Sequence, residues 1–220
     1  MIETKNIKKI YKLGETYVHA LNGVSVKIKK GQFVAITGPS GCGKSTFLHQ
    51  LGLIDRPSDG TIIINDTDVT HLTEEQRTAF RLAHLGYVFQ DYALLPELTG
   101  AENVYIPAMV RNVPSDKYLK KAEEILETVN LAHRGSHLPT EMSGGEQQRF
   151  AIARALINSP SILFADEPCA NLDSKASEQV LNLFKKLNRS LKQTIVMVTH
   201  EKWHLKYADR VIKLKDGKLQ

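Results

Sequence analysis

Cysteine is scarce in this sequence, and long apolar runs are missing. The 220 residues include two cysteines, Cys42 and Cys169, whose spacing builds neither a disulfide framework nor a metal site, which favours a reducing compartment. No run approaches the length of about 18 apolar residues that a membrane-spanning helix needs. The opening residues Met1 to Lys5 contain no apolar signal-peptide core. We therefore expect a cytoplasmic protein that works at a membrane only through a separate partner.

The chain also lacks internal repeats, low-complexity tracts and a large excess of charge of one sign. Its net charge is +5 at pH 7, with Lys and Arg scattered along the whole length. A basic balance of this size permits contact with nucleic acid or anionic lipid but argues for neither. A chain of this length is expected to form one domain, or one domain with a subdomain. Its core is expected to be large enough to need no disulfide or structural metal.

A glycine-rich segment at residues 38–46 carries the strongest chemical signal, and we call it the phosphate loop. It fits the pattern G-x-x-x-x-G-K-[ST] and lies between an apolar, β-prone run at 32–37 and a helical pattern from Phe47. Its glycines allow a tight turn, and the helix start adds free N–H donors. Lys44 is placed to reach the β- and γ-phosphates, and the Ser45 hydroxyl to bind Mg²⁺. An ordinary glycine turn is the alternative, but both flanks disfavour it.

Period-two patterns predict half-buried strands at residues 2–7 and 24–28, and later strands at 61–64 and 85–90. Prolines then interrupt the chain, and residues from about 91 to 159 are predicted to form a small helical insert. Only one strongly helical stretch is predicted between its prolines, with one face formed by Leu119, Ala122, Leu126 and Val129.

Polar residues with chemical potential follow the later apolar runs. Asp166 and Glu167 end a run typical of a strand buried on both faces, at the edge where α/β sheets bind ligands. Asp166 is placed to hold Mg²⁺, directly or through water, and Glu167 to polarise an attacking water. His200 ends another buried strand and could bind a γ-phosphate. Tyr11 could stack on a nucleobase, although simple packing is the commoner role of a single tyrosine.

Ser143 and Glu146 form a capping box, which predicts a helix start near Gly144. A helix N-terminus preceded by glycines can bind an anion, so this is a second candidate phosphate site. Taken in isolation, a cap that merely starts a helix explains the same pattern.

In this order, the motifs resemble those of the nucleotide-binding subunit of an ABC transporter, over essentially the whole chain. The correspondence assigns the A-loop to Tyr11, Walker A to 38–46, the Q-loop to Gln90, the signature to 143–147, Walker B to 162–166, the catalytic glutamate to Glu167, the D-loop to 171–173 and the switch histidine to His200. The implied fold is α/β, a P-loop NTPase core with a mixed, mainly parallel sheet, an N-terminal antiparallel β part and a helical subdomain insert. The implied domain is a single ABC ATPase domain, 1–220, with its nucleotide-binding core at 1–90 and 160–220.

The resemblance implies an ATPase that needs ATP and Mg²⁺. Its catalytic residues would be Glu167, His200, Lys44 and Gln90, and its Mg²⁺ ligands Ser45, Gln90 and Asp166. Its nucleotide-binding residues would be Tyr11, Gly38, Pro39, Ser40, Gly41, Cys42, Gly43, Lys44, Ser45, Thr46, Ser143, Gly144, Gly145, Glu146 and Asp173.

The resemblance also implies partners: a second copy of the chain, packed head to tail around ATP, and an integral membrane permease at the inner face of the cell membrane. Residues 94–99 and 102–104 are similar to the subfamily that serves lipoprotein release, macrolide export and cell division. The alternative is a soluble ABC ATPase acting on nucleic acid or ribosomes, which the short, proline-broken gap between the motifs disfavours. We expect no nucleic-acid partner. A fused permease beyond Gln220 stays open.

Glu146 departs from the family pattern, in which this signature position is usually glutamine. Its carboxylate would add negative charge close to a phosphate site, and the capping box gives it one use. Ser143 would then share its hydroxyl between the cap and the nucleotide, which predicts weaker ATP-driven closure.

Overall fold

A computed structural model describes all of residues 1–220 as two β-sheets and six α-helices. The strands are β1 Ile2–Leu13, β2 Thr16–Val24, β3 Lys27–Ile28, β4 Phe33–Thr37, β5 Asp59–Ile64, β6 Thr67–Asp68, β7 Leu85–Val88, β8 Ile162–Asp166, β9 Thr194–Val198, β10 Arg210–Lys215 and β11 Lys218–Leu219. The helices are α1 Lys44–Leu51, α2 Glu74–His84, α3 Gly100–Val110, α4 Ser115–Thr128, α5 Gly144–Leu156 and α6 Ser174–Leu191, with 3₁₀ turns at Ala132–Arg134, Pro139–Glu141 and Lys202–Tyr207. The predicted α/β fold class is confirmed. None of the helices combines the length and apolar character needed to cross a lipid bilayer.

The larger sheet is mainly parallel, in the order β11-β10-β4-β9-β8-β7, and only its β10–β11 pair is antiparallel. The interior strands β4, β8 and β9 are almost entirely buried, as their continuous apolar sequences predict. The register places Ile36 beside Val198, and Val198 beside Asp166. The segments that follow these strands therefore start side by side at one edge of the sheet.

Successive residues of the central strands supply two cores on opposite faces of this sheet. On β9, Ile195 and Met197 join a core that includes residues of α3 to α6. Val196 and Val198 join a second core with α1 and the antiparallel sheet. Packing on both faces fixes where each strand ends, and so fixes the edge that carries the functional side chains.

The smaller sheet is antiparallel, in the order β2-β1-β5-β6, with β3 paired to β1. The single strand predicted at 24–28 is wrong, because Val24 ends β2 and a separate β3 follows. Thr4 bridges the gap: its N–H donates to the Val26 carbonyl at 2.8 Å, and its hydroxyl accepts the Val26 N–H at 2.8 Å.

Residues 91–159 contain α3, α4 and α5 and no strand. The prediction of a single helix between the prolines is wrong, because α3 also forms and contains Pro107. Helix α2, which has no counterpart among the predictions, begins with a capping box between Thr73 and Gln76. On α4, Leu119 is 45% exposed at the margin of the predicted face, and Ile125 takes its place in the core. The boundaries of the insert stay a prediction.

Candidate functional site

The phosphate loop joins the end of β4 to the first turn of α1. Gly43 has a φ of +99°, and a Cβ added there would lie 2.3 Å from the Ala20 carbonyl oxygen, so the position requires glycine. Lys44 is 6% exposed, and its Nζ donates to the carbonyls of Gly38 at 3.1 Å and Pro39 at 2.9 Å. The lysine therefore ties the beginning of the loop to the start of α1.

Several backbone donors of this loop have no partner in the chain. The N–H groups of Gly43, Lys44 and Ser45 donate no hydrogen bond, because no preceding carbonyl reaches them at the helix start. The helix dipole and the Lys44 ammonium add positive potential at the same place. Free donors and positive charge together suit a phosphate group.

Ser45 and Asp166 bring a hydroxyl and a carboxylate together from α1 and β8. The Ser45 Oγ donates to Asp166 Oδ1 at 3.0 Å, and His49 Nε2 lies 3.4 Å from Asp166 Oδ2. Mg²⁺ commonly takes one or two such oxygen ligands and completes its shell with water and substrate phosphates. The chain has no cluster of three His, Cys, Asp or Glu side chains that would form a separate metal cage. The Ser45–Asp166 pair fits Mg²⁺ shared with a nucleotide.

Glu167 contacts His200 directly. Its backbone has a φ of +42°, a left-handed conformation that is uncommon for glutamate. Its N–H donates to the Val198 carbonyl at 3.1 Å, and its Oε2 lies 2.8 Å from His200 Nδ1. The His200 side chain is 53% exposed. The structure thus pairs the candidate base with the candidate γ-phosphate ligand.

Tyr11 is half-buried on β1, and its hydroxyl donates to Asp55 Oδ2 at 2.7 Å. The same carboxylate oxygen accepts a hydrogen bond from Gln50 Nε2 at 3.1 Å. Because Gln50 lies on α1, this network connects the tyrosine to the helix that follows the phosphate loop. A nucleobase role for Tyr11 stays a prediction.

Gln90 and Asp173 make no side-chain hydrogen bond to the phosphate loop. Gln90 is exposed two residues beyond β7, and its carbonyl accepts Asn171 Nδ2 at 3.2 Å. Asp173 caps α6 through a bond from the Ala176 N–H at 2.7 Å. Their roles in binding Mg²⁺ and nucleotide stay predictions.

The signature segment, residues 143–147, starts α5 at Gly144 through the predicted capping box. The Ser143 Oγ accepts the Glu146 N–H at 3.3 Å and donates to Glu146 Oε2 at 2.9 Å. The N–H groups of Gly144 and Gly145 donate no hydrogen bond within the chain. No hydrogen bond joins this segment to the phosphate loop, so the two candidate anion sites of one chain are separate.

Three side chains at these sites carry no recognisable signal in the sequence. They are Asp55, which binds Tyr11; His49, which approaches Asp166; and Arg134, whose Nε lies 3.0 Å from Glu146 Oε1. Each is a lone titratable residue outside any motif, and tertiary packing alone brings it to its partner.

Comparison with known proteins gives a consistent set of relatives. The family model described as ABC transporter matches residues 21–170. The chain is 46% identical to an uncharacterized ABC transporter ATP-binding protein of Methanocaldococcus jannaschii, over 100% of this chain and 97% of the relative. It is 40% identical to the lipoprotein-releasing system ATP-binding protein LolD of Colwellia psychrerythraea, over 100% of this chain and 85% of the relative. It is 45% identical to the macrolide export ATP-binding/permease protein MacB of Bdellovibrio bacteriovorus, of which it spans 33%.

Among solved structures, the chain resembles a dimeric ATP-binding cassette of Methanocaldococcus jannaschii in a post-hydrolysis state bound to ADP and Pi. The TM-score is 0.92 at 41% identity, over 100% of this chain and 97% of that one. These relatives do not support the alternative of an ATPase that acts on nucleic acid or ribosomes.

Proposed function

Because this chain belongs to the ABC transporter family, we propose that it is an ATP-hydrolysing subunit that dimerises on ATP and drives a separate membrane permease. The observation that supports the proposal is that the candidate phosphate-binding, Mg²⁺-binding and catalytic residues lie together at one edge of the larger sheet. Lys44 lies in the phosphate loop, Ser45 lies 3.0 Å from Asp166, and the adjacent Glu167 contacts His200. A nucleotide-binding loop, a magnesium pair and a base are the parts that phosphoryl transfer to water requires.

The side chains at this edge of the larger sheet have different roles in ATP hydrolysis. The loop N–H groups and Lys44 bind the phosphate chain and offset its negative charge. The Glu167 carboxylate accepts a proton from the water that attacks the γ-phosphorus, and the bond to ADP breaks. His200 leaves Glu167 and donates to a γ-phosphate oxygen. Ser45 and Asp166 would hold Mg²⁺, which would supply positive charge beside the phosphates.

The second anion site gives ATP its role as a switch. In a head-to-tail dimer, the free N–H groups of Gly144 and Gly145 face the γ-phosphate held by the partner subunit. ATP then favours the closed dimer, and hydrolysis removes the shared phosphate and allows opening. Ser143 is exposed, which leaves the start of α5 accessible to a second copy.

A groove of about 350 Å³ between α2, β7, α3 and α5 is our candidate for the permease contact. Val110 lines it and is 62% exposed, and the neighbouring Met109 is 47% exposed. Arg154, also in its lining, donates to the carbonyls of Tyr92 and Ala93, just after Gln90. This connection gives a physical route from the groove to the nucleotide edge.

ATP-dependent dimerisation tests the proposal. Glu167→Gln should retain ATP binding but lose the proton acceptor, so ATP and Mg²⁺ should trap a dimer that light scattering detects. Adding Lys44→Ala to the same variant should abolish the dimer, because phosphate binding is lost. A Glu167→Gln protein that binds ATP yet stays monomeric at high concentration would contradict the proposal.

A further inference from the structure

The signature segment places a carboxylate where a bound phosphate would add more negative charge. Burial by itself would raise the pKa of Glu146, but hydrogen bonds from Ser143 and the charge of Arg134 lower the pKa below its ordinary value. The carboxylate is therefore ionised at neutral pH. Its Oε2 accepts the Ser143 N–H at 2.8 Å and the Ser143 hydroxyl at 2.9 Å.

Arg134 lies at ion-pair distance from the remaining oxygen of Glu146: its Nε is 3.0 Å from Oε1, without the alignment of a hydrogen bond. It lies outside α5, in the 3₁₀ turn Ala132–Arg134, and a second nitrogen of its guanidinium donates to the Glu141 carbonyl at 2.7 Å. The side chains of Arg134 and Glu146 are 24% and 20% exposed, so solvent screens their interaction only in part. Arg149 of α5 bonds instead to Gln179 at 3.1 Å. Glu146 thus has a single ion-pair partner.

We propose that Arg134 is a positioning residue of the ATP site shared by the two subunits: by neutralising Glu146, it keeps the N–H groups at the start of α5 available to the γ-phosphate held by the partner subunit. The inference rests on the proposed head-to-tail dimer. Arg134 acts through Glu146 and does not touch the nucleotide. Without this cation, the carboxylate beside the helix N-terminus repels the phosphate and competes for the free N–H groups of Gly144 and Gly145.

The test measures the dimer dissociation constant by sedimentation in the Glu167→Gln background, with saturating ATP and Mg²⁺. Arg134→Gln should weaken the dimer roughly tenfold, since each dimer contains two such sites and a charge at a helix terminus shifts each site a few-fold. Adding Glu146→Gln should restore dimerisation, because no carboxylate is left to neutralise. Arg134→Lys keeps the charge and should retain most of the affinity.

Two controls separate this role from a purely structural one. Arg189→Gln removes the same charge from an exposed position on α6 that forms no ion pair, and it should leave the dimer constant unchanged. Binding of a fluorescent ATP analogue to monomeric Arg134→Gln should also be unchanged, because the phosphate loop of the same chain is intact. Unweakened dimerisation of Arg134→Gln, or a failure of Glu146→Gln to restore it, overturns the inference. Absence of any ATP-dependent dimer in the Glu167→Gln parent overturns the proposed function itself, and this inference with it.

Discussion

At the scale of single residues, Tyr11 is oriented by two neighbours that belong to no motif. Lys9 Nζ lies 4.8 Å from the centroid of the Tyr11 ring and binds Asp55 Oδ1 at 2.8 Å, while Asp55 Oδ2 accepts the tyrosine hydroxyl. The cation covers one face of the ring. We predict that a nucleobase stacks on the opposite face.

We expect the Tyr11 hydroxyl to stay protonated to unusually high pH. Burial, together with the bond to Asp55, raises the pKa of Tyr11 from 10.0 to about 12. Because the Tyr11 pKa is higher in the folded state than in the unfolded state, its protonated hydroxyl contributes to stability. That contribution is complete below pH 10.0 and is lost as pH rises through about 12. The difference between absorbance titrations of the parent and of Tyr11→Phe isolates this group.

Asp55→Asn provides the matched comparison for that titration. It keeps the shape of the side chain but removes the carboxylate charge, so the Tyr11 pKa should fall. A Tyr11 that titrates at the ordinary value in the parent would rule out the hydroxyl–carboxylate bond.

At the scale of elements, α3 and the loop before it depend on one buried amide. Asn103 is 0% exposed, and its Oδ1 accepts the Leu95 N–H at 2.8 Å. Its Nδ2 donates to the carbonyls of Leu95, Leu98 and Thr99, each at 3.0 Å. The amide thereby closes a proline-containing loop onto the first turn of α3.

Removing this amide should weaken the fold measurably. Asn103→Ala is expected to lower the free energy of unfolding by about 2–4 kcal/mol, because the buried amide is lost, the Leu95 N–H loses its acceptor and three carbonyls each lose a donor. Asn103→Asp, the control of similar shape, keeps an acceptor for Leu95 but sets a carboxylate against three carbonyls, so it should be at least as unstable. Urea unfolding followed by circular dichroism measures both. Losses below about 0.5 kcal/mol, typical of surface substitutions, would show that the loop is held in another way.

At the scale of the whole molecule, permease capture tests which face meets the membrane partner. Immobilised Glu167→Gln with ATP and Mg²⁺ should retain an integral membrane permease from detergent-solubilised membranes of the source cell, identified by mass spectrometry. Adding Val110→Asp should abolish retention, because a carboxylate then replaces the exposed apolar side chain that we place in the contact. ATP-dependent dimerisation of that variant should persist.

The matched control for this capture is Leu191→Asp, since Val110 and Leu191 are both 62% exposed but only Val110 lines the groove. It should retain the permease. Equal retention by both variants would remove the groove from the permease contact, and retention of ribosomes or nucleic acid instead would favour the rival function.

The elements that sequence reasoning missed have specific causes. Pro107 removes a helical donor, so a pattern containing it argues against the helix that α3 nevertheless forms around the buried Asn103. Helix α2 begins at a capping box between Thr73 and Gln76, a local signal that the sequence does contain, and Arg77 is its only buried residue. The strand predicted at 24–28 divides because Thr4 replaces part of the ladder with a side-chain bond.

The sequence by itself determined the chemistry of the nucleotide edge. A phosphate loop, buried strands that end in carboxylates and a capping box are local patterns, so Lys44, Asp166 and Ser143 are recognisable without coordinates. Only the tertiary structure decided which side chains pair: Asp55 with the Tyr11 hydroxyl, and Arg134 with Glu146. These pairs join separate elements, and they form because tertiary packing brings those elements together, which no local pattern encodes.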